Sequence, residues 1–341
     1  MSPKIFVNAS NCHSGGGKTL LNAFLKGLSG DIEVIVYVDS RFQLSQNLHK
    51  SVRLIKVNRL KRVMVAFNIK KCAKRTDKIF YFGNLPPLVR FKSKNVILLL
   101  SSRFYVDSVS MKGFHITTVI KIFLEKIYYK VFIKNISHII VQTSSMYEQL
   151  IENGFRKKIS IWAFDDLGNS VQDIKEAYKK EPSTFIYVAS LLPYKNHKRL
   201  LMAWNLLKSQ NINPKLYLTI DDDTRLRKWI ENIITKNNLN VALLYNLNRT
   251  ELMAIYSKVE TLIYPSLFEA FGLPLIEAKK HKMKVLAADL DYCWNFIEPD
   301  DYFNPNDVKS IARAVKRSLN MKDQLDKIYT PNEFFKKLID L

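Results

Sequence analysis

Glu269 and Glu277, with seven residues between them, bracket a glycine and a proline in the run Tyr264-Pro-Ser-Leu-Phe-Glu269-Ala-Phe271-Gly272-Leu273-Pro274-Leu-Ile-Glu277-Ala278. An apolar run ends at Tyr264, Gly272 supplies a turn, and Pro274 suits the first turn of a helix, where its missing N–H is no loss. The first N–H groups of such a helix, with its dipole, attract an anion. Glu277 is expected within that first turn and Glu269 at the entrance of the loop. N–H groups suit phosphate and carboxylates suit hydroxyls, so the set fits a phosphate attached to a polyol. Either glutamate alone would be an ordinary loop or helix residue; the combination carries the reading.

A second strand–loop–helix run, from Tyr187 through Ser190 and Lys195-Asn196-His197 to Leu201, repeats the pattern. Asn196 is expected to cap the helix, and Lys195 just before it can neutralise a bound phosphate. His197 reads as a first-turn helix residue rather than a catalyst. A third run, His13-Ser14-Gly15-Gly16-Gly17-Lys18-Thr19, follows the first apolar stretch, and its glycines allow close backbone approach. It is not a Walker A loop, because that spacing needs a glycine where Cys12 stands. Asn11 and His13 flank the loop as candidate cleft residues. Asp221-Asp222-Asp223 contains D-x-D, a metal-binding pattern elsewhere, but it directly precedes an amphipathic segment, where acids favour a helix N-terminus. His115 and His138 read as structural.

These residues resemble the retaining glycosyltransferases of family 4, whose shared unit is the glycosyl transferases group 1 domain. Glu269 and Glu277 match that family's E-x7-E signature, and Phe271-Gly272-Leu273-Pro274 is its usual filling. The resemblance implies a GT-B fold: α/β, two Rossmann-like domains with a cleft between them. It places Glu269 near the donor sugar, Glu277 on the nucleotide ribose, and the backbone of Phe271, Gly272 and Leu273 by the sugar and diphosphate. Lys195 matches the family's diphosphate lysine, with Ser190 and Asn196 beside it. Gly16 and Gly17 match its first glycine-rich loop, under the donor phosphates and the acceptor. Two positions depart from the pattern. Ser190 stands where many members have an arginine, and Ser101-Ser102-Arg103 where many have an acceptor-facing histidine. Arg103 is expected either to contact a phosphate on the acceptor or to form a surface ion pair, and His13 to face the acceptor. The match is strong over 184–307 and weak in the first half beyond the glycine loop.

The elements that must hold these residues alternate short apolar runs with amphipathic segments, as parallel sheets covered by helices do. Strands are expected at 4–9, 33–38, 52–57, 78–82, 95–100 and 138–142, then at 184–191, 215–220, 241–244, 261–264 and 284–288. The predicted helices are 16–28, 61–74, 112–134 and 144–153, then 196–208, 223–236, 249–258, 274–281 and 307–319. The polar stretch 165–183 reads as a linker. The domains are therefore 1–165, on the acceptor side, and 166–325, which binds the nucleotide sugar, with 326–341 as a helix crossing back. Segment 112–134 has Ile116, Val119, Ile120, Phe123, Ile127 and Val131 on one side and lysines elsewhere. It reads as a helix packed on the core or, with that charge, one lying on a membrane surface.

The chain has 341 residues, 47% hydrophobic and 25% charged, ordinary for a globular protein, with a net charge of +22. Residues 1–165 hold 27 Lys and Arg against 9 Asp and Glu; residues 166–341 hold 26 against 22. The excess therefore belongs to the acceptor half. It points to an anionic membrane and a phosphorylated or lipid-linked glycan acceptor. No nucleic-acid motif accompanies it. Three scattered cysteines, Cys12, Cys72 and Cys293, fit a reducing cytosol and form no zinc pattern. No signal peptide or long apolar span is read. The expectation is a metal-independent transferase without cofactor, using a UDP- or GDP-linked donor at the inner face of a bacterial cytoplasmic membrane.

Overall fold

The computed structural model describes residues 3–12, 15–28, 30–44, 47–107, 109–164, 180–220 and 225–321. Seven strands, β1 (Ile5–Ala9), β2 (Val34–Asp39), β3 (Val52–Val57), β4 (Lys78–Phe82), β5 (Asn95–Leu99), β6 (His138–Val141) and β7 (Lys158–Ile161), form the first sheet. Their order is β3-β2-β1-β4-β5-β6-β7, and all pairs are parallel, with Val7 between Val36 and Phe80. Helix α1 (Gly15–Lys26) covers one face through Leu20, Leu21 and Leu25. Helices α2 (Arg62–Cys72), α3 (Ile116–Phe132) and α4 (Ser144–Glu152) cover the other, through Val65, Ile69, Tyr129, Met146 and Leu150. Cover on both faces is why the central strands are almost wholly apolar.

The second sheet contains β8 (Glu181–Tyr187), β9 (Lys215–Ile220), β10 (Val241–Tyr245), β11 (Val259–Tyr264), β12 (Lys284–Ala288) and β13 (Asp301–Phe303). Its order is β10-β9-β8-β11-β12-β13, again parallel. Helices α5 (His197–Ser209), α6 (Arg225–Asn237), α7 (Arg249–Lys258), α8 (Leu273–Lys280) and α9 (Val308–Ser318) flank it. Leu200, Leu201, Trp204 and Leu207 of α5 join Ile311 and Val315 of α9 in the core. Strand order reverses between β1 and β4 in one sheet and between β8 and β11 in the other. In open parallel sheets, ligands bind at the strand ends beside such reversals.

The strand expected at 184–191 begins at Glu181 and ends at Tyr187. Beyond Tyr187 the backbone leaves the ladder, and Ala189 N–H donates to the Thr219 hydroxyl at 3.0 Å. The four residues freed this way become a loop. Strands β7 and β13 escaped the sequence reading because both are short and lie at sheet edges. The apolar side of α3 does not lie in the core. Ile116, Ile120, Phe123, Leu124, Ile127 and Val131 are all exposed, Phe123 by 62%. His13, the D-x-D run, most of the linker and the segment 326–341 lie outside the described residues.

Candidate functional site

A cleft of about 580 Å³ opens between the two sheets at their strand ends. Gly16, Gly17, Ser101 and Gln142 line it from the first domain. Ser190, Lys195, Glu269, Phe271, Gly272, Leu273 and Glu277 line it from the second. Nine of the donor-side residues picked out by pattern thus meet in one cavity, and Glu269 and Lys195, 74 residues apart in sequence, are drawn together in it.

The reversal of strand order explains that meeting. Lys195 ends the loop after β8 and Glu269 sits in the loop after β11, and these two strands are neighbours. Lys195 Nζ pairs with Glu269 Oε1, and both side chains are largely shielded from water. Tyr264 donates its hydroxyl to the same oxygen at 3.0 Å. Oε2 has no donor among the described residues. Burial, followed by the nearby Glu269 charge, pushes the Tyr264 hydroxyl well above its ordinary pKa, so it stays protonated and a donor. The loop is fixed at its far end by Gly272, whose φ of +70° starts α8. A Cβ there would come within 3.0 Å of Leu275 Cδ1.

Glu277 lies one residue further along α8 than expected, just past its first turn, because the helix begins at Leu273. Its carboxylate is buried. Arg249 Nη1 donates to Oε1 at 2.5 Å and the Tyr256 hydroxyl to Oε2 at 3.1 Å. Sequence reading passed over Arg249. It opens α7 inside a capping box of Asn248 and Glu251, the available sign that an arginine there is held at a helix start.

Asn196 stands at the N-cap position of α5, but its side chain makes no capping bond. Nδ2 donates instead to Pro265 O at 3.0 Å and Pro305 O at 2.7 Å, so Asn196 braces two loops and does not line the cleft. His197 behind it is 1% exposed, and neither ring nitrogen has a partner among the described residues. Burial and then the charge of Lys195 lower its pKa to about 3, so the ring is neutral.

Arg103 resolves as an ion pair rather than an open acceptor contact. It is buried between the domains, donating to Asp107 Oδ2 at 2.8 Å, Asp291 Oδ1 at 2.9 Å and the backbone oxygen of Glu269 at 3.2 Å. Phe104, Tyr194 and Phe268 pack around it across the same boundary, with Phe104 and Phe268 ring centres 5.1 Å apart. Among the described residues no group of three His, Cys, Asp or Glu side chains is placed to hold a metal ion.

Residues 170–332 match the family described as glycosyl transferases group 1. An O-antigen chain mannosyltransferase, RfbU of Salmonella typhimurium, is 26% identical over 219 residues, 60% of this chain and 58% of the relative. The serotype-specific mannosyltransferase WbdA of Escherichia coli is 28% identical over 151 residues, 41% of this chain and 18% of the relative. The chain thus spans little more than half of the first relative and under a fifth of the second. Among solved structures, WaaG, a glycosyltransferase involved in lipopolysaccharide biosynthesis, superposes with a TM-score of 0.62 at 17% identity, over 93% of this chain and 90% of that one. The sucrose-phosphate synthase of Thermosynechococcus elongatus gives 0.63 at 16% identity, covering 94% and 90%. HepE of Anabaena, in complex with UDP and glucose, gives 0.64 at 15%, covering 93% and 89%. The chain therefore has the two-domain GT-B fold, and residues 170–332 of its second half match the glycosyl transferases group 1 domain.

Proposed function

We propose that the protein is a retaining glycosyltransferase that moves a sugar from a UDP- or GDP-linked donor to a phosphorylated or lipid-linked glycan in bacterial surface-polysaccharide assembly. The observation that carries this is the Lys195–Glu269 pair, set beside Tyr264 at the strand reversal of the donor domain and facing the glycine-rich start of α1 across the cleft. Lys195 and the N–H groups at the starts of α8 and α1 stabilise charge on the departing nucleoside diphosphate, the task a metal performs elsewhere. Glu269, held by Tyr264, positions the sugar. Glu277, fixed by Arg249 and Tyr256, accepts from the ribose hydroxyls. No metal or cofactor enters this reading.

The names of the relatives support a surface-polysaccharide product. The exposed apolar side of α3, beside Lys121, Lys130 and Lys134, supports a peripheral place on the inner face of an anionic cytoplasmic membrane. Among the described residues no helix is long and apolar enough to cross a membrane.

Thermal melts with UDP, GDP and their sugar conjugates test the donor, because a ligand bound only by the folded state raises the melting point. At least one nucleotide sugar is expected to shift it. Glu269→Ala should keep the fold and the nucleotide shift while transfer falls by 100-fold or more, on the order of 3 kcal/mol. A Glu269→Ala protein with undiminished transfer would remove the assignment.

A further inference from the structure

Gln142 directly follows β6, and its side chain is 1% exposed. It lines the cleft from the first domain. Among the described residues neither Nε2 nor Oε1 has a hydrogen-bond partner. Buried amides are rarely left unpaired in folded proteins, because the protein loses the water contacts and gains nothing in exchange. Several other polar groups at this cleft are engaged. Lys195 and Glu269 hold each other, and Glu277 is held by Arg249 and Tyr256. The Thr219 hydroxyl bonds the backbone of Ala189, and Ser101, at the end of the neighbouring strand, turns to Asn84 Oδ1.

The position is rigid. Leu100 N–H donates to Ile140 O at 2.9 Å and Trp162 N–H to Val141 O at 2.8 Å, fixing the strand on both sides up to the residue before Gln142. Thr143, the next residue, caps α4 by accepting from Met146 N–H. A side chain so anchored, with both amide atoms idle, is preorganised for a ligand.

The chemistry of the amide narrows that ligand. One donor and one acceptor lie side by side on a neutral group. A phosphate, which only accepts, would satisfy Nε2 and be repelled by Oε1. A sugar hydroxyl both donates and accepts, and a pair of adjacent hydroxyls matches both atoms at once. We infer that Gln142 is a specificity residue that hydrogen-bonds hydroxyls of a sugar held between the domains, opposite Lys195 and Glu269. The inference rests on the donor reading above and adds to it the first-domain contact that distinguishes one sugar from another.

The test uses the full chain with Gln142→Leu, which keeps the side chain's approximate size and removes both polar atoms, and Gln142→Glu as a second variant. The probes are UDP, GDP, UDP-glucose, UDP-N-acetylglucosamine and GDP-mannose. A ligand-reading role predicts that unliganded Gln142→Leu melts at the same temperature as wild type or higher, since an unpaired buried amide has gone. The shift from the nucleotide alone should be unchanged, and the extra shift from its sugar should shrink. With donor analogues lacking one hydroxyl at a time, wild type should lose about tenfold or more in kcat/KM at the hydroxyl read by Gln142, and Gln142→Leu should lose nothing further there. If the donor shift is unchanged but KM for the acceptor rises, the hydroxyls belong to the acceptor sugar. A lower melting point of the unliganded variants, with ligand shifts and kinetics of the remaining folded protein unaltered, makes Gln142 structural and overturns the inference. Absence of any nucleotide-sugar shift in wild type would instead sink the donor reading, whatever the variants do.

Discussion

Glu269 Oε1 is shared by Lys195 and Tyr264, and the next residue but one after Lys195 is the buried His197. The three positions form one electrostatic unit. The lysine charge beside His197, after burial itself, keeps that ring neutral, with its pKa lowered from 6.5 to about 3. Between those values the unfolded chain binds a proton at this histidine that the folded chain does not. Stability must then fall as pH falls from about 6.5 towards 3. His197→Leu should remove that part of the slope, which is of the order of a few kcal/mol across the full window. Urea unfolding at pH 7, 6 and 5 measures it. Parallel profiles for the variant and wild type would show that His197 is not the source.

At the scale of elements, the loop from Pro265 to Gly272 does the positioning. Gly272 turns the chain with a left-handed φ that a β-branched residue adopts poorly, and Leu275 and Tyr292 crowd the space a Cβ would fill. Gly272→Val should cost about 1–3 kcal/mol in thermal stability and weaken nucleotide-sugar shifts more than Gly272→Ala does; equal shifts for both would contradict a positioning role. This loop was legible in the sequence because its turn and helix-start residues are local signals. So were the parallel sheets, from their apolar runs. Two things were not legible. Asn196 has the residue type of a cap, yet it spends its amide on Pro265 and Pro305, carbonyls 69 and 109 residues away. The apolar side of α3 has the helical period of a buried face and is exposed, because period tells that a face exists and not what covers it.

On the whole-molecule scale, charge and exposed apolar surface coincide on the first domain. Residues 59–75, which include α2, carry seven Lys or Arg and no acid, and Val63, Met64 and Phe67 there are exposed, as is the apolar side of α3. Helices α2 and α3 pack on the same side of their sheet. Each cation near an anionic bilayer contributes about 1 kcal/mol, screened by salt. Vesicles with anionic lipid should therefore bind the full chain, vesicles of neutral lipid much less, and rising salt should release it. The double change Phe123→Ser and Ile127→Ser should lower binding about tenfold without moving the melting point. Flotation at low and high salt decides this, and undiminished binding by the double variant would exclude the α3 face.

Arg103 gives the molecule a further property. Its guanidinium belongs to the first domain, yet it grips the backbone oxygen of Glu269 and the carboxylate of Asp291 in the second. The loop that carries the Glu269 carboxylate is thus held in register by the first domain, much as a two-key lock needs both keys turned. Parting the halves would detach the loop of Glu269 from this support. On the proposed function, a donor held between parted halves would face a disengaged site, and the geometry would guard the activated sugar against idle hydrolysis.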